Sequence, residues 1–320
     1  MNQKPRVAVL YGGNSTERAV SIKSGKAVVG ELRARGWDVV EIDPIGHFMR
    51  QVLDSHAEVA FLALHGEFGE DGKIQQILEN ARIPYTGSGP AASRKGMDKT
   101  LTKRTLAANA IATPDYVLAG PHDGDAAIRK AAQRLGFPLV AKPPSGGSSV
   151  GVSIAHDIQQ LFDAVAEARK YENDVLLERY ISGRELTVSV INGRAMPVIE
   201  IICPGFFDFK AKYEPGLTQY VIQPALPENV EVAVQQAAAA TYTCLGCAGA
   251  ARVDMRLDAA SVPWVLEINT IPGLTATSLL PKAAKAAGIG FGELCESMIV
   301  DAINRHRSRT IGDAVVEKRA

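Results

Sequence analysis

The chain has no excess of either charge, few cysteines and no long apolar run. Thirty-five basic and thirty-five acidic residues leave a formal net charge of zero. Nothing sequence-wide therefore favours nucleic acid or an anionic membrane as partner, and a phosphate ligand must be held locally. No stretch approaches the roughly 20 apolar residues of a membrane helix. The apolar residues 7–11 that follow Lys4 and Arg6 are too few for a signal-peptide core and end in glycines. These absences predict a cytoplasmic protein with no membrane attachment. The four cysteines are Cys203, Cys244, Cys247 and Cys295. Cys244 and Cys247 form a C-x-x-C, but no second pair or nearby histidine completes a zinc site. The pair reads as small core residues, with redox or metal chemistry as the alternative.

What is present is a globular chain of 320 residues, 46% hydrophobic and 22% charged, enough for two or three packed domains. Strands and helices alternate in three blocks. In the first, residues 1–88, a strand at 6–10 turns at Gly12-Gly13-Asn14-Ser15 into a helix over 16–34. Strands at 38–42 and 59–64 and a helix over 72–81 follow. This pattern predicts a Rossmann-like parallel sheet with ligand groups at the carboxyl ends of its strands. G-x-G-x-x-G is absent, and with it the dinucleotide fingerprint. The second block, 89–183, carries helices over 97–110 and 157–170 and strands at 138–142 and 175–177. The third, 184–307, has strands at 185–191 and 195–202, a hydrophilic stretch at 208–218, an Ala-rich helix over 230–244, a hairpin, and a final helix over 291–305. Residues 308–320 lack apolar periodicity and read as a frayed tail.

Two motifs carry chemistry. Lys142-Pro143-Pro144-Ser145-Gly146-Gly147-Ser148-Ser149 comes directly after a strand. Its glycines let backbone N–H groups approach an anion, its hydroxyls at Ser145, Ser148 and Ser149 donate hydrogen bonds, and Lys142 adds charge. It is not a Walker loop, and a flexible turn is the plainer reading. The second motif is a hairpin turning at 257–261, which puts Asp254, Glu267 and Asn269 on one face. Two carboxylates and an amide suit Mg2+ shared with phosphate oxygens; the alternative is a solvated polar face.

Together these motifs suggest ATP held between two α+β lobes, and at that point the chain resembles the D-alanine–D-alanine ligases of the ATP-grasp superfamily. The likeness runs through Gly12-Gly13-Asn14-Ser15-Thr16-Glu17-Arg18, His65-Gly66-Glu67-Phe68-Gly69-Glu70-Asp71-Gly72, Met97-Asp98-Lys99 and the Lys142 loop. It continues through Asp208-Phe209-Lys210-Ala211-Lys212-Tyr213 and Asn269-Thr270-Ile271-Pro272-Gly273 to Ser278-Leu279. The resemblance implies a two-lobed ATP-grasp fold behind the parallel sheet and a cytoplasmic homodimer feeding peptidoglycan synthesis. It also implies ATP with two Mg2+ ions, Mn2+ being able to substitute, and D-alanine as the small-molecule partner.

By the same resemblance, Lys99, Lys142 and Lys212 hold phosphates along with Gly147 and Ser149. Glu178 and Glu185 lie by adenine and ribose, and backbone at 179–181, from Arg179 to Ile181, reads the adenine edge. Glu17 pairs with the ammonium of the first D-alanine and His65 neighbours its carboxylate. Arg252 and the Gly273 N–H stabilise the oxyanion, and Ser278 with the Leu279 N–H takes the second carboxylate. Ser148 and Tyr213 link to Glu17 and close a lid over 208–218, with tyrosine favouring dipeptide over ester. Three residues depart from the family pattern: Gln76, Ile271, and Arg256, expected at an exposed edge of the hairpin. The rival readings are another ATP-grasp carboxylate–amine ligase, or a nucleotide-binding module without catalysis.

Overall fold

The computed structural model describes residues 4–147, 150–203 and 218–317, with side chains through 308. Its first sheet is parallel, in the order β2-β1-β3, built from β1 (Val7–Leu10), β2 (Val39–Ile42) and β3 (Val59–Leu62). β1 and β3 are buried along their whole length, which is why both read as unbroken apolar runs. The crossover helix α1 (Arg18–Ala34) packs Val28 and Leu32 on one face of the sheet. Helices α2 (Phe48–Asp54) and α3 (Lys73–Asn80) cover the other with Phe48 and Leu78.

The next part opens with α4 (Pro90–Met97) and α5 (Lys99–Ala108). An antiparallel sheet in the order β4-β7-β5-β6 follows. Its strands are β4 (Tyr116–Ala119), β5 (Leu139–Lys142), β6 (Ser153–Ala155) and β7 (Val175–Arg179). Helices α6 (Asp125–Leu135) and α7 (Ile158–Ala168) pack on it around Leu139, Leu161 and Leu177.

The last sheet, also antiparallel, runs β11-β10-β8-β12-β13, with β9 paired to β8. It comprises β8 (Arg184–Ile191), β9 (Arg194–Ala195), β10 (Ile199–Ile202), β11 (Gln219–Ile222), β12 (Ala250–Leu257) and β13 (Pro263–Asn269). Helix α8 (Glu228–Leu245) covers one face through Val234 and Ala238. Helices α9 (Leu279–Ala286) and α10 (Phe291–Glu317) return to the first sheet, where Leu294 and Ile299 join Val28 in one core. A parallel sheet followed by two α+β lobes is the expected fold class.

Three expected elements differ in detail. The helix expected over 97–110 spans only 99–108 and follows a helix, α4, that the sequence reading lacked; between them the Asp98 backbone is extended and its carboxylate accepts from the N–H groups of Thr100 and Leu101. An aspartate cap is worth about 1 kcal/mol and restarts the helix at Lys99. The strand at 195–202 is split around Pro197, which offers no ladder donor. The last helix continues to Glu317, past its expected end near 305 and into the segment read as a tail. No proline interrupts the backbone bonds over 306–317.

Candidate active site

The ends of these sheets enclose two adjoining cavities. The larger, about 280 Å³, lies between the carboxyl ends of β1 and β3 and the β12–β13 hairpin. Glu17 and His65 line it from the first sheet; Arg252, Asn269, Gly273, Ser278 and Leu279 line it from the hairpin and the segment that leads into α9. The smaller, about 90 Å³, lies between the two antiparallel sheets, walled by Lys142, Glu178, Arg179, Ile181, Glu185 and Asp254. Lys99, Gly146, Gly147 and Glu267 line both. Sixteen of the residues singled out from sequence are thus gathered here, while Ser148, Ser149, Lys212 and Tyr213 lie outside the described residues.

Register builds the hairpin face. Arg252 stands directly opposite Asn269 and Asp254 opposite Glu267. A bulge after Asp254 leaves Leu266 unmatched, so the ladder resumes with Met255 opposite Val265. Arg252 grips Asp254 with two bonds of 2.8 Å, and Thr187 Oγ1 donates to Asp254 Oδ1 at 2.6 Å. Asn269 Oδ1 accepts the Ile271 N–H at 2.9 Å, which fixes the turn leading to Gly273. Lys99 Nζ is 3.5 Å from Glu267 Oε2 and donates to Gly146 O at 2.7 Å, tying the hairpin to the glycine loop.

Hard oxygen donors on two adjacent strands fit Mg2+, which keeps most of its shell for phosphate and water. Among the described residues no group of three His, Cys, Asp or Glu converges. The donor set is therefore an open two-carboxylate clamp, not an all-protein cage. Ser145 of the glycine loop also lines the smaller cavity, and gives its N–H and hydroxyl to Glu172 at 2.8 and 3.2 Å.

Around the first-sheet residues, space is tight. Glu17 occupies the cap position of α1 without capping it. A Cβ on Gly147 would lie 3.3 Å from its carboxylate, and one on Gly66 2.8 Å away. His65 is 5% exposed, with Nε2 3.0 Å from Ser24 Oγ and Nδ1 3.5 Å from Glu70 Oε1. Burial pushes the Glu70 carboxyl up, the nearby charge of Glu17 adds to the rise, and His65 opposes it. Gly273 approaches Ser278 so closely that a Cβ would sit 2.7 Å from its Oγ. Ser278 precedes α9, which opens with Leu279.

Glu178 lies between two lysines: Lys142 Nζ is 3.1 Å from Oε1 and Lys103 Nζ 2.6 Å from Oε2. Burial pushes the carboxyl up, but the two ammonium groups outweigh it and hold it below its ordinary value. Burial brings Lys103 down to about 8 despite Glu178. Lys103, Glu70, Ser24 and Thr187 were not among the expected site residues. Lys103 was accessible from sequence, since it stands four residues after Lys99 and on the same helix face.

The family descriptions "D-ala D-ala ligase N-terminus" and "D-ala D-ala ligase C-terminus" match residues 41–88 and 106–300. The D-alanine–D-alanine ligase of Syntrophotalea carbinolica is 44% identical over 305 residues, covering 94% of this chain and 97% of that one. The chain belongs to the D-alanine–D-alanine ligase family. Solved structures agree. The Bacillus anthracis D-alanine–D-alanine ligase superposes with a TM-score of 0.86 at 37% identity, over 95% of this chain and 99% of that one. Its complex with ATP superposes at 0.85 and 35% identity, over 97% and 100%. As a member of this ligase family the chain is an ATP-dependent, Mg2+-using enzyme with an ATP-grasp fold. Among the described residues no helix is long and apolar enough to cross a membrane.

Proposed function

We propose that the chain joins two D-alanine molecules into D-alanyl-D-alanine at the larger cavity, using ATP held in the smaller one, and so supplies a peptidoglycan precursor. The terminal phosphoryl group of ATP passes to a carboxylate oxygen of the first D-alanine, leaving ADP. The amine of the second attacks the acyl carbon, phosphate departs with the bonding electrons, and the amine loses its proton. One observation supports this most directly: Glu17 and His65 at one wall of a cavity stand across from Arg252 and Gly273 at the other, with Lys99 and Glu267 at the passage to the second cavity.

Glu17 binds the first ammonium and His65 neighbours the carboxylate to be activated. Arg252 and the Gly273 N–H stabilise the tetrahedral oxyanion, where a single donor is worth about 3 kcal/mol. Ser278 and the Leu279 N–H take the second carboxylate, the latter as an unpaired donor of a helix N-terminus. Lys99, Lys142 and Gly147 position the phosphates, joined by Ser149 and Lys212. Glu178, Glu185 and the backbone at 179–181 hold the nucleoside. Asp254, Glu267 and Asn269 would hold Mg2+, which would neutralise charge on the transferring phosphates. Ser148 and Tyr213 complete the lid against water. The division at 88 and 183, a homodimer and a cytoplasmic location belong to the same proposal.

The test is phosphate release from purified protein with ATP and Mg2+, comparing D-alanine, L-alanine and no amino acid, with the product weighed by mass spectrometry. D-alanine-dependent release with a dipeptide mass is expected. Release without D-alanine dependence would overturn the substrate assignment.

A further inference from the structure

Arg256 departs from the family pattern, and its surroundings in the fold are unlike those expected for it. It was expected at an exposed edge; instead its side chain is 17% exposed and lines the smaller cavity. It shares a face of β12 with Asp254, and the bulge after Asp254 puts Trp264 opposite it. Four contacts fix the guanidinium. Nε donates to Ile181 O at 3.1 Å, one terminal nitrogen to Glu185 Oε2 at 2.9 Å, and the other to Gly183 O at 2.9 Å and Tyr180 Oη at 3.2 Å. Three of these partners belong to 180–183, the run that crosses from β7 of one sheet to β8 of the other. The fourth, Glu185, faces Arg256 in register across β8 and β12.

A planar fork can meet a carboxylate on one edge and carbonyls on another, which a single ammonium cannot. We propose that Arg256 is a positioning residue for the nucleotide: it clamps the crossing at 180–183 and aims the Glu185 carboxylate, and thereby sets how strictly the site requires ribose hydroxyls. The inference rests on the proposed reading of the smaller cavity as the nucleoside site with Glu185 beside the ribose. A glutamate gripped by a guanidinium has already given up most of its rotamer freedom, which costs about 1–2 kcal/mol when it is lost on binding. Its bond to a sugar hydroxyl is then formed at full strength. Without that grip the same carboxylate is aimed less closely and the hydroxyl contributes less.

The experiment compares kcat/KM for ATP, 2′-deoxyATP and 3′-deoxyATP under saturating D-alanine and Mg2+, in wild type, R256M, R256K and E185Q. Methionine keeps an apolar stem of similar length and loses all four bonds. R256M should reduce the preference for ATP over the deoxy analogue by about tenfold, the worth of one hydrogen bond to a charged group, chiefly through KM. E185Q should do the same, and R256K should stay close to R256M because charge without the fork does not restore the clamp. If E185Q relaxes discrimination and R256M leaves it at the wild-type ratio, the clamp is overturned while the ribose reading stands. If E185Q changes nothing, the ribose reading fails and takes the proposal with it. R256K behaving as wild type would also overturn it, and that variant carries the test should R256M fail to fold.

Discussion

Ser24 Oγ lies 3.0 Å from His65 Nε2 and accepts the N–H of Leu274 at 3.2 Å, so one buried hydroxyl joins the first-sheet wall of the larger cavity to the residue after Gly273. On its other side the His65 ring turns Nδ1 to Glu70 Oε1 at 3.5 Å, so the imidazole bridges this hydroxyl and a buried carboxylate. S24A should strand a buried N–H at a cost of about 1–3 kcal/mol and raise KM for D-alanine more than KM for ATP. Thermal melting and substrate-resolved kinetics check this; wild-type values in both would remove the link from the mechanism.

At Gly273 a methyl group has no room beside Ser278. G273A should push the backbone N–H away from the oxyanion and lower kcat by about 100-fold, with KM for ATP little changed. A mutant that instead lost ATP affinity would move this residue from the acyl site to the nucleotide site.

Asp254 is already held on both oxygens, by Arg252 and Thr187. The Glu267 side chain is 32% exposed against 13% for Asp254, and is therefore the more accessible carboxylate for a metal. E267Q should raise the Mg2+ concentration for half-maximal turnover by about tenfold or more, and high Mg2+ should restore part of the rate. A titration identical to wild type would exclude Glu267 as a ligand.

Glu296 of α10 receives Lys4 at 2.9 Å, Arg35 at 2.6 Å and the Trp37 indole at 2.8 Å. The Arg35 bond, ahead of the others, brings its carboxyl down to about 2. A carboxyl depressed on folding adds stability above its unfolded value near 4.5, and that stability is lost as pH falls towards 2. E296Q should cost about 1–2 kcal/mol at neutral pH, the full shift being discounted for solvent screening. It should also flatten the stability profile between those two pH values. Urea unfolding at pH 7, 4 and 3 measures the difference.

Much of the site was legible because it depends on short local patterns. The β12–β13 register is set by one turn and two apolar runs, so Asp254, Glu267 and Asn269 could be put on one face before the fold was known. Lys142 and Gly147 come after a strand that alternation alone reveals. What stayed hidden is long-range. Nothing near Ser24 announces that it meets His65 and Leu274, and Arg256 looks like a surface charge until the crossing at 180–183 folds over it. Nor does composition announce that Ser145 meets Glu172, 27 residues further on. Short elements escaped for a different reason. Strands such as Ser153–Ala155 and Gln219–Ile222 are held by their neighbours in the sheet and carry little pattern of their own.

The core that joins Val28 and Leu32 to Leu294 and Ile299 has a consequence for how the chain is made. One face of the first sheet is shared by α1 and by helices made long after it. A growing chain that has finished α1 must wait for more than 250 residues before that face is closed. Until then an apolar surface stands open to solvent and to other chains. Expression of residues 1–88 alone should consequently yield aggregated protein, and the same fragment should gain solubility when residues 270–308 are supplied as a second chain.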